Sequence, residues 1–426
     1  MEILLLILGV AAFLYALVSA RMDRTIITPP MIFTAVGVTL ALMPSQFAEQ
    51  ESAQETLRAV AEFTLVIVLF IDASRIDLSL FVREHKIAVR LLAIGLPLTI
   101  LAGAIVAKLM FAEFSFWEAA LVAAILAPTD AALGQAVVSS PKVPIRIRQS
   151  LNVESGLNDG IALPLVMLLA ALASIGTNGE DKNWMVYWLM QVSLGPLVGV
   201  IVGFGGGYLL SGAKKLNYIN EDFLRLSGVA LAIVAWAGAL QVGGNGFIAA
   251  FVAGMSISYF ADDVGDALRE FGETEGQLLG LVTFLLFGLV VLVPAIESAD
   301  ATCYLYSILS LTVIRMLPVA AALFGLRLHV PTVLFLGWFG PRGLASLLFG
   351  LLVISEFNLP HADQILTLSV LTVVMSILAH GITAVPGSDW YAHVLKRRSN
   401  EHSLENQHCQ SHRNKFKSAD ADQNVL

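Results

Sequence analysis

Apolar runs of about 20 residues, separated by short polar and charged clusters, repeat along this chain from near its start to about residue 386. A helix of that length crosses the hydrocarbon core of a bilayer. A transmembrane barrel would instead alternate apolar and polar positions over roughly ten residues, and no such alternation is present. Length and apolarity predict about 13 spans, near 3–20, 26–43, 56–72, 87–111, 116–138, 147–175, 184–210, 223–241, 244–260, 276–297, 303–324, 331–354 and 365–386. The eighth and ninth are short and separated only by Gly243-Gly244-Asn245. The predicted fold class is therefore an all-α polytopic membrane protein.

Composition agrees. Of 426 residues, 57% are hydrophobic and 14% charged, whereas about a quarter of a soluble domain is charged. The formal charge of −8 says little about partners, because the depth of each charge matters more than the sum. Cys303 and Cys409 do not form a disulfide framework. The start is acidic, Met1-Glu2, and the first apolar run is followed by Arg21 and Arg24, which reads as a first span rather than a cleaved leader. Lys and Arg then collect after odd spans: Arg75, Arg83 and Lys86; Lys142, Arg146 and Arg148; Lys214 and Lys215; Arg327; Lys396-Arg397-Arg398. The positive-inside rule puts the N-terminus outside and the C-terminus in the cytoplasm of a multi-pass protein of the cytoplasmic (inner) membrane. The acidic loop at 261–275 fits this less well. Residues 1–395 read as a membrane transporter domain and 396–426 as a polar cytoplasmic tail whose composition predicts disorder. No organic cofactor and no nucleic-acid partner is expected.

Two spans are interrupted at mid-length. Span five contains Ala127-Pro128-Thr129-Asp130, and span twelve contains Gly337-Trp338-Phe339-Gly340-Pro341-Arg342-Gly343. Proline removes a backbone donor and crowds the preceding turn, so both helices are predicted to break. Non-helical backbone at that depth survives only inside protein or beside a water-filled cavity. The two spans lie seven places apart in order and run in opposite directions, which predicts inverted repeats, spans one to six and eight to thirteen, with broken helices crossing near mid-membrane. Paired interruptions of this kind point to a transporter's binding site; the plainer reading is two unrelated kinks.

A charge at the bilayer centre costs at least about 2.5–3.5 kcal/mol, so each deep one needs a role or a partner. The deep candidates are Asp130, Glu154, Asp159, Arg315 and Arg342. In span six, Ser155 and Asp159 are four apart and share a helix face, while Glu154 and Asn158 line the neighbouring face. Hard cations bind oxygen, so Asp159, Ser155, Asp130 and a carbonyl near Thr129 are predicted to form a cage for Na+. The structural alternative pairs both aspartates with the two arginines. Glu154 reads as half of a buried ion pair with Arg315, and Arg342 as support for the helix crossing. Asp72, at the inner end of span three, either points into a funnel toward the site or marks the interface. Asp77, Glu113 and Glu118 read as solvated span ends. A buried carboxyl that holds either a proton or a cation, in a site that faces each side in turn, makes the two exchange.

The matching segments resemble the prokaryotic sodium/proton exchangers of the monovalent cation:proton antiporter superfamily, the NhaP type. They are Ala127-Pro128-Thr129-Asp130, Glu154-Ser155-Gly156-Leu157-Asn158-Asp159-Gly160, Gly246-Phe247-Ile248-Ala249-Ala250-Phe251-Val252-Ala253-Gly254, Arg315, and Gly340-Pro341-Arg342-Gly343. The resemblance implies a thirteen-span fold with a core of spans four to six and eleven to thirteen, and a homodimer built on spans one to three and eight to ten. It implies elevator-like alternating access, with Asp159 carrying the exchanged proton or cation. Asp130, Ser155 and the Thr129 backbone would complete the site, and Glu154 would pair with Arg315. The Asn158-Asp159 pair implies electroneutral exchange of Na+ or Li+ for H+, serving pH and sodium homeostasis. Asp72 stands near a position where relatives often carry glutamate, and Phe339 where many are more polar. Potassium/proton exchange on the same fold is the near alternative. An intramembrane aspartyl protease using Asp130 and Asp159, or a channel, are distant ones; the chain reads as a transporter and not an enzyme.

Overall fold

The structure, a computed structural model, describes residues 2–22, 25–43, 50–74, 86–130, 133–174, 184–257, 259 and 276–397. Arg24, Arg75, Asp77, Arg83, the 261–275 loop, Cys409 and the chain beyond 397 lie outside them. Among the described residues every regular element is a helix. We number them α1 Glu2–Met22, α2 Pro29–Ala41, α3 Gln50–Ser74, α4 Lys86–Met110, α5 Phe116–Ile125, α6 Gln135–Val138, α7 Ile145–Ala173, α8 Trp184–Lys215, α9 Glu221–Gln241, α10 Gly246–Ile257, α11 Gly276–Ser298, α12 Ala301–Leu323, α13 Val330–Trp338, α14 Leu344–Glu356 and α15 Ala362–Arg397.

Seven helices are long and apolar enough to cross a bilayer unaided: α4, α7, α9, α11, α12 and α15, and Leu189–Lys215 of α8. Several others, among them α2, α5, α10 and α14, are apolar but shorter. Outward faces are apolar too: Leu17 of α1, Leu109 of α4, Ile201 and Leu209 of α8 and Leu317 of α12 are each more than 60% exposed, which suits a lipid solvent. The chain is a multi-pass membrane protein.

Proline shapes three of the long helices. Leu91 and Gly288 each open a π turn, and Thr312 (φ −112°, ψ −96°) interrupts α12. Each lies six positions before a proline, at Pro97, Pro294 and Pro318. A proline cannot donate to the carbonyl four residues back and presses on it. Widening or unwinding the turn ahead relieves that contact. The distortions leave no trace in apolar run length. The last helix also runs further than expected, through Pro386 to Lys396 and Arg397, whose positive charges suit a helix C-terminus.

Close packing surrounds α7. Helix α10 lies against α3 so tightly that a Cβ on Gly254 would overlap the carbonyl oxygen of Phe70. Such contact needs a small residue, as in other membrane helix pairs. Helix α7 packs on both: its Gly160 faces the ring of Phe251, where a Cβ would come within 2.6 Å, and its Gly156 faces Asp72. The polar middle of α7 is thereby held between α3 and α10 on one side and the interrupted helices on the other.

Candidate functional site

The chain is interrupted where the two prolines stand. Helix α5 ends at Ile125, and Ala127–Asp130 follow without helical structure; α13 ends at Trp338, and Phe339–Gly343 are likewise unwound before α14 begins. Buried backbone groups freed in this way need new partners, and each break supplies partners to the other. The Asp130 N–H donates to the Pro341 carbonyl at 2.8 Å. The Leu344 N–H, first in α14, donates to Asp130 Oδ2 at 2.8 Å. Arg342 Nη1 donates to the carbonyls of Ala127 and Pro128. Arg315 Nε donates to the Gly337 carbonyl at 3.1 Å. The two breaks therefore cross in contact, tied by backbone on one side and charged side chains on the other.

Gly340-Pro341-Arg342-Gly343 acquires a physical reading from this. A Cβ on Gly340 would overlap the Arg315 guanidinium, and one on Gly343 would overlap the Asp130 carboxyl. The two glycines make room for the two charged groups that pass beneath the break. Arg342 is completely buried, at 0% exposure. Phe339 is buried and packs on Phe335 (ring centroids 4.6 Å apart).

Helix α7 supplies the rest. Arg315 Nη2 donates to both oxygens of Glu154, at 3.0 and 3.2 Å, and both side chains are buried. On the adjoining face Thr129 Oγ1 accepts from Asn158 Nδ2 at 2.7 Å and lies 2.9 Å from Ser155 Oγ. Thr129 joins this cluster through its hydroxyl, where the sequence reading had placed its backbone. Asp159, 8% exposed, has its Oδ1 buried with no hydrogen-bond partner among the described residues, and Asn158 Oδ1 is the same. Asp130 and Asp72 act on Asp159 as like charges. Asp72 packs across Gly156, whose Cβ would meet its Cγ at 3.9 Å, so its side chain faces α7 rather than lying apart at the interface. Arg315 goes to Glu154 and Gly337, and Arg342 Nη1 to Ala127 and Pro128, so the hydrogen bonds of both arginines among the described residues go elsewhere than Asp159.

One reading is corrected. Glu118 is not a solvated span end; it is 2% exposed. It forms a capping box with Ser115 at the start of α5 and lies 2.9 Å from His361 Nδ1. The Ser115-x-x-Glu118 spacing carries that signal. Glu113 lies near the surface as expected, accepting from Gln364. The sequence pattern does not single out Ser376 and His380 of α15, both buried and bonded to the two ends of the break, Arg342 and Trp338. Their four-residue spacing in an apolar run was the available signal.

A helical membrane protein whose two interrupted helices cross near mid-span, with buried carboxylates beside the crossing, has the architecture of a secondary transporter. The chain belongs to the family described as "sodium/hydrogen exchanger, transmembrane", whose model matches residues 9–389. It is 25% identical to the K(+)/H(+) antiporter NhaP2 of Shewanella oneidensis over 86% of its length, and 26% identical to the K(+)/H(+) antiporter NhaP of Alkalimonas amylolytica over 78%. The aligned stretches take in 63% and 57% of those relatives, so the chain spans less than two thirds of their length. A yeast protein named Na(+)/H(+) antiporter, from Saccharomyces cerevisiae, is 26% identical over 59% of this chain and 27% of its own. The fold matches that of the sodium proton antiporter MjNhaP1 of Methanocaldococcus jannaschii, with a TM-score of 0.74 over 92% of this chain and 99% of that one, at 18% identity.

Proposed function

We propose that this protein is a secondary antiporter that exchanges a monovalent cation, Na+ or Li+ first, for a proton. The observation that carries the reading is the buried Asp159 oxygen with no partner among the described residues, on the same helix as the Ser155 and Asn158 that meet Thr129 at the crossing of two breaks. A deprotonated Asp159 with the Ser155 and Thr129 hydroxyls offers a hard cation a charge and neutral oxygens. Asp130 adds a second negative charge while its carboxylate caps α14. Protonated Asp159 offers no net charge to a cation, so proton and cation alternate at one site. One acid gives one-for-one, electroneutral exchange.

The sign of the pH dependence follows from that competition. Cation binding needs the deprotonated acid and displaces its proton. At fixed cation, uptake falls as protons become abundant. Raising the cation concentration moves the active range to lower pH.

Helices α4–α7 and α12–α15, which hold the crossing, form the moving core in this reading. Helices α1–α3 and α9–α11 form the part that pairs with a second copy, and thirteen passes place α1's start outside and the end of α15 in the cytoplasm. The loop charges support that orientation and a cytoplasmic-membrane location: Arg21, Lys86, Lys142, Lys214 with Lys215, Arg327 and Lys396 all fall on one side. Gly156 and Gly160 present a smooth face of α7 to Asp72 and Phe251, which suits sliding of one unit on the other.

Potassium is the second reading, favoured by the names of the two bacterial relatives. Purified protein in liposomes carrying a pH gradient separates the two. The expected result is gradient collapse on adding Na+ or Li+, hardly altered by a clamped voltage, because a net charge would feel about 2.3 kcal/mol per 100 mV. Collapse with K+ alone selects the second reading, and no response to any of the three rejects exchange.

A further inference from the structure

In an unbroken helix the Trp338 carbonyl would accept the Arg342 N–H, four residues on. The break separates that pair, and two side chains of α15 stand between its ends. The Arg342 N–H donates to Ser376 Oγ at 2.7 Å. Ser376 Oγ lies 3.1 Å from His380 Nδ1, which also lies 3.0 Å from the Ser376 carbonyl. His380 Nε2 lies 2.8 Å from the Trp338 carbonyl. The Nε2–Trp338 contact is a hydrogen bond in the tautomer that carries its hydrogen on Nε2; in that tautomer Nδ1 accepts from Ser376 Oγ and makes no hydrogen bond to the Ser376 carbonyl, which only accepts. The path runs without a gap from Arg342 N–H through Ser376 and His380 to the Trp338 carbonyl, which also accepts from Gly340 N at 2.8 Å.

The bridge is enclosed and braced. Ser376 is 0% and His380 2% exposed. The Trp338 indole stacks on His380 (ring centroids 5.1 Å apart, interplanar angle 29°) and donates from Nε1 to Thr383 Oγ1 at 2.9 Å. Ser376, His380 and Thr383 lie on one face of α15, at spacings of four and three.

We propose that Ser376 and His380 are positioning residues for ion binding: together they replace the missing helical hydrogen bond and fix the curvature of the unwound segment. Neither touches the Asp159 cluster. They act through the segment, because Pro341 within it accepts the Asp130 N–H and Leu344 at its end donates to the Asp130 carboxylate. Any drift between Trp338 and Arg342 moves Asp130, and Thr129 beside it, relative to α7. The functional half of this inference rests on the exchange reading above; the structural half does not.

The test uses Ser376→Ala, His380→Asn and His380→Gln in the full chain. Glutamine places its amide near the position of Nε2 and still donates to the Trp338 carbonyl; asparagine reaches only the Nδ1 side. In liposomes, Ser376→Ala and His380→Asn are expected to raise the apparent KM for Na+ by about five- to tenfold, the order expected from losing one buried hydrogen bond, with maximal rate changed by less than about twofold. His380→Gln is expected to stay within about twofold of the parent. Hydrogen exchange at the amides of residues 339–345 gives a readout that needs no transport, and is expected to quicken about tenfold in the first two variants and not in the third. Unchanged KM and unchanged exchange in folded Ser376→Ala and His380→Asn protein overturns the proposal, and so does equal damage from asparagine and glutamine. A parent protein that moves no cation rejects the exchange reading alone, and the hydrogen-exchange comparison still decides the bridge.

Discussion

Asp159→Asn protein is expected to fold, insert and keep its helix crossing, yet to move no cation against protons. Asparagine has nearly the size of aspartate but neither its charge nor its proton. Asp159 Oδ1 is buried without a partner among the described residues, so no contact seen in the structure is lost there. A buried charge near the like charges of Asp130 and Asp72 opposes folding. Its removal should leave the melting temperature in detergent equal or slightly raised. Sodium-driven proton flux should fall to the background of protein-free liposomes. A stable variant with retained flux moves the exchanged proton to another group, with Asp130 next to be tested. The loss of flux carries weight only alongside the melting curve, since a misfolded transporter is also silent.

The second large effect is on stability. Glu154→Ala or Arg315→Ala strands one buried charge, and breaking a buried pair by removing one partner costs about 3–5 kcal/mol. Arg315 has a further duty, because its Nε satisfies the Gly337 carbonyl at the edge of the break. Arg315→Ala should therefore destabilise more than Glu154→Ala. The double variant should cost less than the sum of the singles, since neither charge is then left alone. Protein that survives each substitution should bind the cation with an affinity close to the parent's, because both Glu154 oxygens are taken by Arg315. Thermal unfolding in detergent and apparent cation affinity in liposomes measure the two quantities. A large loss of affinity with little loss of stability would turn Glu154 into a ligand.

Residue type and spacing carried much of this site. Pro128 and Pro341 lack a backbone donor and sit mid-span, so both breaks were legible; deep charges without solvent need partners, so the pairing of Glu154 with Arg315 was legible too. What escaped was the mode of contact. Sequence spacing gave Asp130 as a ligand, while the structure shows its carboxylate holding the start of α14 and its N–H on Pro341. That double role depends on where a second break, two hundred residues away, passes in space. The glycines of Gly340-Pro341-Arg342-Gly343 were read with the break, but their purpose is clearance for Arg315 and Asp130. Glu118 escapes because position along a span does not give its depth, whereas its capping pattern with Ser115 does place it at the buried start of α5. Ser376 and His380 look like ordinary interruptions of an apolar helix until the broken helix is laid beside them. The proline-led distortions at Leu91, Gly288 and Thr312 were invisible to a reading based on run length.

The shared carboxylate is tested most directly by counting protons as the cation binds. Purified protein in weakly buffered detergent solution, with a pH indicator, is titrated with sodium chloride against a choline chloride control, and then with potassium chloride. The expected result is release of up to one proton per chain, saturating with sodium. The half-saturating concentration should rise by as much as tenfold for each unit of pH below the acid's midpoint, and Asp159→Asn should release none. Saturable sodium binding with no proton released, or the same release from Asp159→Asn, would contradict a single acid that holds one or the other.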